Sequence, residues 1–231
     1  MATFTDNFPV DQNPILTPWL VTVGTILVTG GEVRGAGPLS MAIVQDEIFD
    51  ADQTAQVTFD AIVNSDLAGP VVRGQSNGDG YFMEYRNNAP GKITLFKRLS
   101  GVNTELTSQT TFSIVVTDTL KLGIVGNTLQ MYKNGVALLA SVTDTTNPFT
   151  TGKPGIYYNA GNVGGTRLDD FVAEGLAAAT SITDVDGDDT VVDGQQNATL
   201  TVAGFGNNIN ALDLRVGSDT LALTGLTGSG T

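Results

Sequence analysis

Leu120-Lys121-Leu122-Gly123-Ile124-Val125-Gly126-Asn127-Thr128-Leu129-Gln130-Met131-Tyr132-Lys133-Asn134-Gly135 decides the fold class. Leu122 and Ile124 alternate with Lys121 and Gly123. After Gly126-Asn127, Leu129 and Met131 alternate with Thr128 and Gln130. Strict alternation is the mark of a half-buried strand. Lys133-Asn134-Gly135 then leads into an apolar run at 136–139. Asn-Gly adopts positive φ at low cost, so it predicts a tight hairpin.

The same grammar extends outward. Ser76-Asn77-Gly78-Asp79-Gly80 joins an apolar run at 70–73 to Tyr81-Phe82-Met83-Glu84-Tyr85. Asn87-Asn88-Ala89-Pro90-Gly91 leads into 92–97, and 155–158 and 166–171 read as two further short strands. No window carries an apolar 3.6-residue period with caps, so long helices are not expected. Many short strands punctuated by turns predict an antiparallel sandwich or barrel.

The chain has 231 residues, no cysteine and no histidine. That excludes disulfides, zinc–thiolate and iron–sulfur sites, thiol nucleophiles, and imidazole as metal ligand or general base. The formal charge is −13, which disfavours nucleic acid and anionic membranes as partners. No stretch approaches 18 apolar residues, so membrane insertion is not expected. Met1-Ala2-Thr3-Phe4-Thr5-Asp6 shows no basic region followed by an apolar core, so no export signal is visible.

Composition shifts near Gly175. Residues 1–175 hold 10 basic and 17 acidic residues; residues 176–231 hold 1 and 7. The expected organisation is a jelly-roll domain over 1–175, a small-residue linker over 176–180, and a second β module over 181–231. Its strands are expected at 198–202, 211–216 and 220–223. About 50 residues is short for a seven-strand Ig-like sandwich, so that module is expected to be incomplete or completed by a neighbour.

Three stretches carry a resemblance: Phe4-Thr5-Asp6-Asn7-Phe8, the hairpin from Val125 to Gly135, and the close from Gly155-Ile156-Tyr157-Tyr158 through Leu168-Asp169-Asp170-Phe171. Residues 4–172 resemble the concanavalin A-like lectin/glucanase jelly roll, in the laminin-G-like version found in bacteriophage virion structural proteins. The tail from Ile182 to Phe205 is similar to the first half of Ig-like modules appended to such proteins. The resemblance implies an all-β antiparallel jelly-roll sandwich plus a small Ig-like module. It implies a virion-surface protein made in the host cytoplasm, in a capsid-decoration or tail-fibre role, with other virion proteins and cell-surface glycans as partners. A homo-oligomer or multivalent array, strengthened by avidity, goes with that setting. The alternative is a non-catalytic carbohydrate-binding module of a larger secreted enzyme.

Glucanase relatives carry alternating carboxylates on one strand face. Here the nearest run, Glu47-Ile48-Phe49-Asp50-Ala51-Asp52, has Glu47 out of phase, so no enzyme activity is expected. Asp50, Asp52 and Glu84 would be the carboxylates to test. For glycan contact the candidates are Arg73 and Gln75 with Tyr81, Met83 and Tyr85. Tyr158 and Asn162, beside Tyr157 and Asn159, form a second cluster. Tyr81, Met83 and Tyr85 share one strand face, Phe82, Glu84 and Arg86 the other, and one of the two faces must be core. Asp6, Asp169 and Asp170 are candidate ligands of a structural Ca2+. Asp184-Val185-Asp186-Gly187-Asp188-Asp189 begins like a calcium loop but lacks the EF-hand glycine and terminal glutamate; it reads as an acidic turn.

Overall fold

A computed structural model describes residues 2–63, 66–159 and 165–176, and beyond these the backbone of strands within 181–224. The chain divides into two compact units, Met1–Leu176 and Ala177–Thr231. No helix occurs among the described residues, and hence none long and apolar enough to cross a membrane.

The first unit is two packed antiparallel sheets. Sheet A runs β13 (Val136–Thr143), β12 (Thr128–Lys133), β11 (Thr119–Val125), β6 (Gln53–Ala61), β15 (Arg167–Gly175), β4 (Glu32–Gly35), β3 (Ile26–Thr29), with β1 (Thr3–Asp6) also paired to β15. Sheet B runs β10 (Val102–Thr110), β9 (Lys92–Leu99), β8 (Gly80–Arg86), β7 (Leu67–Gly74), β14 (Lys153–Asn159), β5 (Ser40–Val44), β2 (Trp19–Val23). The sequence-defined hairpin is β11–β12–β13, with Val125 opposite Thr128 and Lys133 opposite Val136. Asn134 and Gly135 both take positive φ at its second turn, the geometry that matches strand twist in a two-residue loop.

The core lies between the sheets. Val57, Phe59, Leu120, Leu122, Ile124 and Leu168 come from sheet A; Ala42, Val44, Val72, Met83, Ile93 and Leu95 from sheet B. Trp19 is buried and meets Phe171 edge-on at 4.8 Å, with Phe4 and Phe8 each 5.8 Å away. Its indole N–H donates to Asp6 at 2.7 Å.

Charged side chains tether the loops at the sandwich rim. Lys97 Nζ pairs with Asp144 at 2.6 Å and donates to the Thr146 and Asn147 carbonyls. Tyr81 donates to the same carboxylate at 2.7 Å. Asp118 accepts from the Val115 amide and Asn134, and pairs with Lys133 at 2.9 Å. Charge-assisted bonds of this kind are about twice as strong as neutral ones.

In the second unit the strands are β16 (Ser181–Ile182), β17 (Asp189–Asp193), β18 (Thr199–Ala203), β19 (Ile209–Leu214) and β20 (Thr220–Thr224). They pair in parallel, β16–β18–β20 and β17–β19, with partners 20 or 21 residues apart. The Ig-like resemblance called for antiparallel pairing, and these registers differ from it. Residues 177–180 of the expected linker and 183–188 of the acidic turn lie outside the described residues.

Candidate functional site

The face expected to meet a glycan turns out to be the interior one. Tyr81, Met83 and Tyr85 point between the sheets and are buried. Their polar tips find internal partners: Tyr81 bonds Asp144, and Tyr85 donates to Asn87 at 3.0 Å. Tyr158 is likewise interior, and its hydroxyl donates to the Val33 carbonyl at 2.5 Å. Arg73 is buried with φ 48°. Its guanidinium donates to the carbonyls of Ala51, Gly126 and Phe149 and pairs with Asp52 at 3.3 Å. Burial holds its pKa below the usual arginine value, with Asp52 opposing that shift. Gln75 braces the same corner through the Arg73 and Thr151 carbonyls. Tyr81, Tyr85, Tyr158 and Arg73 are buried with internal partners, unlike the outward face expected of ligand contacts, while Gln75 is half-buried. Asn162 lies outside the described residues.

The candidate calcium ligands Asp6, Asp169 and Asp170 lie on paired strands, Asp6 of β1 opposite Phe171 of β15. Asp6 faces inward, and its two carboxylate oxygens accept from the Phe8 amide and the Trp19 indole. Asp169 sits where β15 bulges between Asp169 and Val172, and Asp170 is exposed with φ 46°. Asp6 and Asp170 border one hollow of about 460 Å³ with Thr5, Asn7, Phe171 and Val172. Among the described residues no three acidic side chains converge to hold a metal ion. Burial, then the nearby carboxylates of Asp170, Asp60 and Asp6, raises the Asp169 pKa, the response of a carboxyl among like charges.

The outer face of sheet B is the other face of β8. Register sets it in three rows. Gly155, Val71, Phe82, Phe96 and Glu105 form one. Met41, Tyr157 and Gly69 form the next, with Glu84 beside Gly69. Asn159, Leu67, Arg86 and Lys92 form the third. Gly69 is where a side chain would block the surface: a Cβ there would overlap the Met83 carbonyl. Its absence lets Tyr157 of β14 stack on Phe82 of β8, across β7, with centroids 4.0 Å apart; Phe96 stacks on Phe82 at 5.4 Å.

This floor is apolar but not purely so. Met41, Val71, Phe82 and Tyr157 are buried, and Phe96 is half-buried. Glu84 is 5% exposed. Burial raises its pKa to about 7; Tyr157, Arg86 and Lys92 oppose the shift and Glu105 adds to it. Arg98 Nε is buried with no hydrogen-bond partner, and the Tyr157 hydroxyl lies against Glu84 and Asn159, burial raising its pKa. Arg86 is exposed, Lys92 is half-buried and pairs with Glu105 at 2.9 Å. Lys92 and Ser108 hold the Glu105 pKa below the usual carboxylate range. Sequence reading had identified this face by parity; its unpartnered donor depends on packing between β8, β9 and β14.

No protein-family model and no curated protein matches the chain. Solved structures do. The carbohydrate-binding module CBM66 from Bacillus subtilis is similar at TM-score 0.49 and 16% identity, over 69% of this chain and 93% of that one. The exoplasmic/lumenal domain of VIP36, in a Ca2+/Man3GlcNAc-bound form, has TM-score 0.54 and 12% identity, over 76% of this chain and 89% of that one. A mutant of the GH43 protein BlXynB from Bacillus licheniformis has TM-score 0.53 and 16% identity, over 74% of this chain and 38% of that one. At these identities the likeness concerns architecture: the first unit has the antiparallel jelly-roll sandwich fold of concanavalin A-like domains.

Proposed function

We propose that the jelly-roll unit is a non-catalytic glycan-binding module that uses the outer face of sheet B. The observation that carries this reading is the Phe96–Phe82–Tyr157 stack on an outer face where Arg98 Nε is buried without an acceptor. Buried donors without acceptors are costly, about 1–3 kcal/mol each. A sugar hydroxyl supplies an acceptor, and an aromatic ring supplies a platform for sugar C–H groups. Asn159, Arg86 and Lys92 at the rim add planar and cationic hydrogen-bond donors. Fold-level support comes from the VIP36 domain, solved in a Ca2+/Man3GlcNAc-bound form.

The setting we propose is a bacteriophage particle, on the resemblance of 4–172 and the absence of cysteine. The second setting is a module of a larger secreted enzyme; it is favoured by the match to only 38% of the GH43 chain, where the jelly roll is part of a longer protein. The test is a glycan-array screen of the full, multimerised chain beside Arg86→Ala and Phe96→Ala. Binding by the parent that is lost in both variants at unchanged melting temperature is expected. Silence of the parent, or binding indifferent to both changes, refutes the reading. Mass spectrometry of purified particles separates the two settings.

A further inference from the structure

The chain holds 24 acidic and 11 basic residues, so a basic side chain without a carboxylate partner calls for a reason. Arg73, Lys92, Lys97, Lys133 and Arg167 are each in an ion pair. Lys121 lies over the Tyr132 ring at 5.0 Å, and Lys153 donates to the Gln45 and Glu47 carbonyls. Arg34 has Glu32 two residues along on the same strand face. Arg86 and Arg98 differ from all of these. Neither is in an ion pair among the described residues, and Arg86 is exposed. One guanidinium N–H of Arg98 donates to Asn103 at 2.9 Å, while its buried Nε has no acceptor.

Both lie on the outer face of sheet B. Arg98 follows Phe96 by two residues on β9, and Arg86 follows Phe82 by four on β8, so each shares the side of the aromatic stack. Arg86 is opposite Lys92, and Gly80 is opposite Arg98. The six residues from Lys92 to Arg98 set two cationic ends about 20 Å apart along the strand, with Phe96 between them. The carboxylates of β8, β9 and β10 do not neutralise these ends. Glu105 is engaged by Lys92 and Ser108, and burial favours the uncharged form of Glu84. Exposed carboxylates farther than about 8–10 Å away are largely screened in ordinary salt.

We infer that this face selects acidic glycans: an extended oligosaccharide laid along β8 and β9, a sugar ring on Phe96, its carboxylate or sulfate groups at Arg86 with Lys92 and at Arg98. This rests on the glycan reading above and names its ligand class. Local charge complementarity chooses the ligand. A guanidinium is planar and presents paired donors that match a carboxylate or sulfate. A ligand oxyanion also supplies the acceptor that Arg98 Nε lacks, which removes the cost of a buried, unpaired donor. The distance between the two ends requires a chain of several sugars rather than one.

Isothermal titration of the full chain with hexagalacturonate, sulfated maltohexaose and neutral xylohexaose tests it, with Arg86→Gln, Arg98→Gln and Lys121→Gln alongside. The parent is expected to bind one of the acidic hexasaccharides at least about tenfold more tightly than xylohexaose; which of the two it prefers tells carboxylate from sulfate. Arg86→Gln and Arg98→Gln should each weaken that binding by about tenfold at unchanged melting temperature. Lys121→Gln removes the same charge from sheet A and should leave it unchanged. Equal affinity for neutral and acidic hexasaccharides, an acid preference that survives both arginine changes, or one that Lys121→Gln weakens as much, overturns the inference and leaves the glycan reading standing. A parent silent towards acidic and neutral glycans alike overturns both.

Discussion

Glu84→Gln should stabilise this protein above neutral pH and leave it unchanged in acid. In the folded chain the Glu84 carboxyl sits against Tyr157 and Gly69 and is almost wholly buried, which pushes its pKa to about 7 from an ordinary 4.5. The folded pKa of an acid is thus raised. Below about pH 4.5 the group is protonated in both folded and unfolded chains and contributes nothing to pH dependence. As pH rises from about 4.5 to 7 the unfolded chain releases the proton while the folded chain keeps it, so stability falls. Above about pH 7 the loss is complete. A shift of about 2.5 units at 1.36 kcal/mol each is about 3 kcal/mol. Glutamine keeps the shape and cannot ionise, so the variant escapes that loss. For a domain of this size, 3 kcal/mol corresponds to about 6–12 °C in melting temperature. Calorimetry of parent and variant from about pH 4 to 9 reads the difference directly, because all other titrating groups cancel. The gap should open between about pH 4.5 and 7 and stay open. A constant gap across pH, or a glutamine variant that melts lower at about pH 8, would show Glu84 ionised and paired to Arg86 or Lys92, and the apolar-floor argument would fail.

Other perturbations follow from the same contacts. Lys97→Met strands Asp144 in a buried site and should cost about 3–5 kcal/mol, whereas Lys97→Met combined with Asp144→Leu should cost less than the two changes summed; urea titration of the cycle decides. Tyr81→Ala and Tyr85→Ala remove interior rings and should each cost about 3–5 kcal/mol. Any glycan binding they lose should be lost with near-UV ellipticity, and a folded Tyr85→Ala that no longer binds would restore the original assignment. Asp6→Ala leaves the Trp19 indole and the Phe8 amide without acceptors, at about 1–3 kcal/mol for each group left unpaired. Calcium or EDTA should leave the parent's melting temperature unchanged, and a calcium-dependent rise would mean that the aspartates converge after all.

Strand positions were legible because alternation and turn chemistry are local. Leu122, Ile124, Leu129 and Met131 alternate as inward residues and are buried; Asn134-Gly135 turns where its φ preference demands. The choice of face on β8 was not legible. Every residue from Gly80 to Tyr85 is buried, so polarity does not distinguish the sides. Tyrosine looks outward-facing to a sequence reader, but the Tyr81 hydroxyl is satisfied by Asp144, 63 residues away. Arg73 misleads for the same reason, since its acceptors come from Ala51, Gly126 and Phe149. Asp169 and Asp170 fall at a bulge, where the strict parity that would align them with Asp6 breaks. Local rules fail where a polar group's partner is distant in sequence.

That observation also tells satisfied polar groups from unsatisfied ones. Arg73, Lys97, Tyr81 and Asp118 break the rule that charged and phenolic groups stay outside, and each is compensated by internal acceptors or donors. Arg34 and Arg98 each keep a buried Nε without an acceptor, and Leu139 is a leucine in the left-handed region. Proteins retain uncompensated violations where function requires them. Arg98 lies on sheet B, and Arg34 and Leu139 on sheet A. A variant on one sheet should therefore leave the other intact.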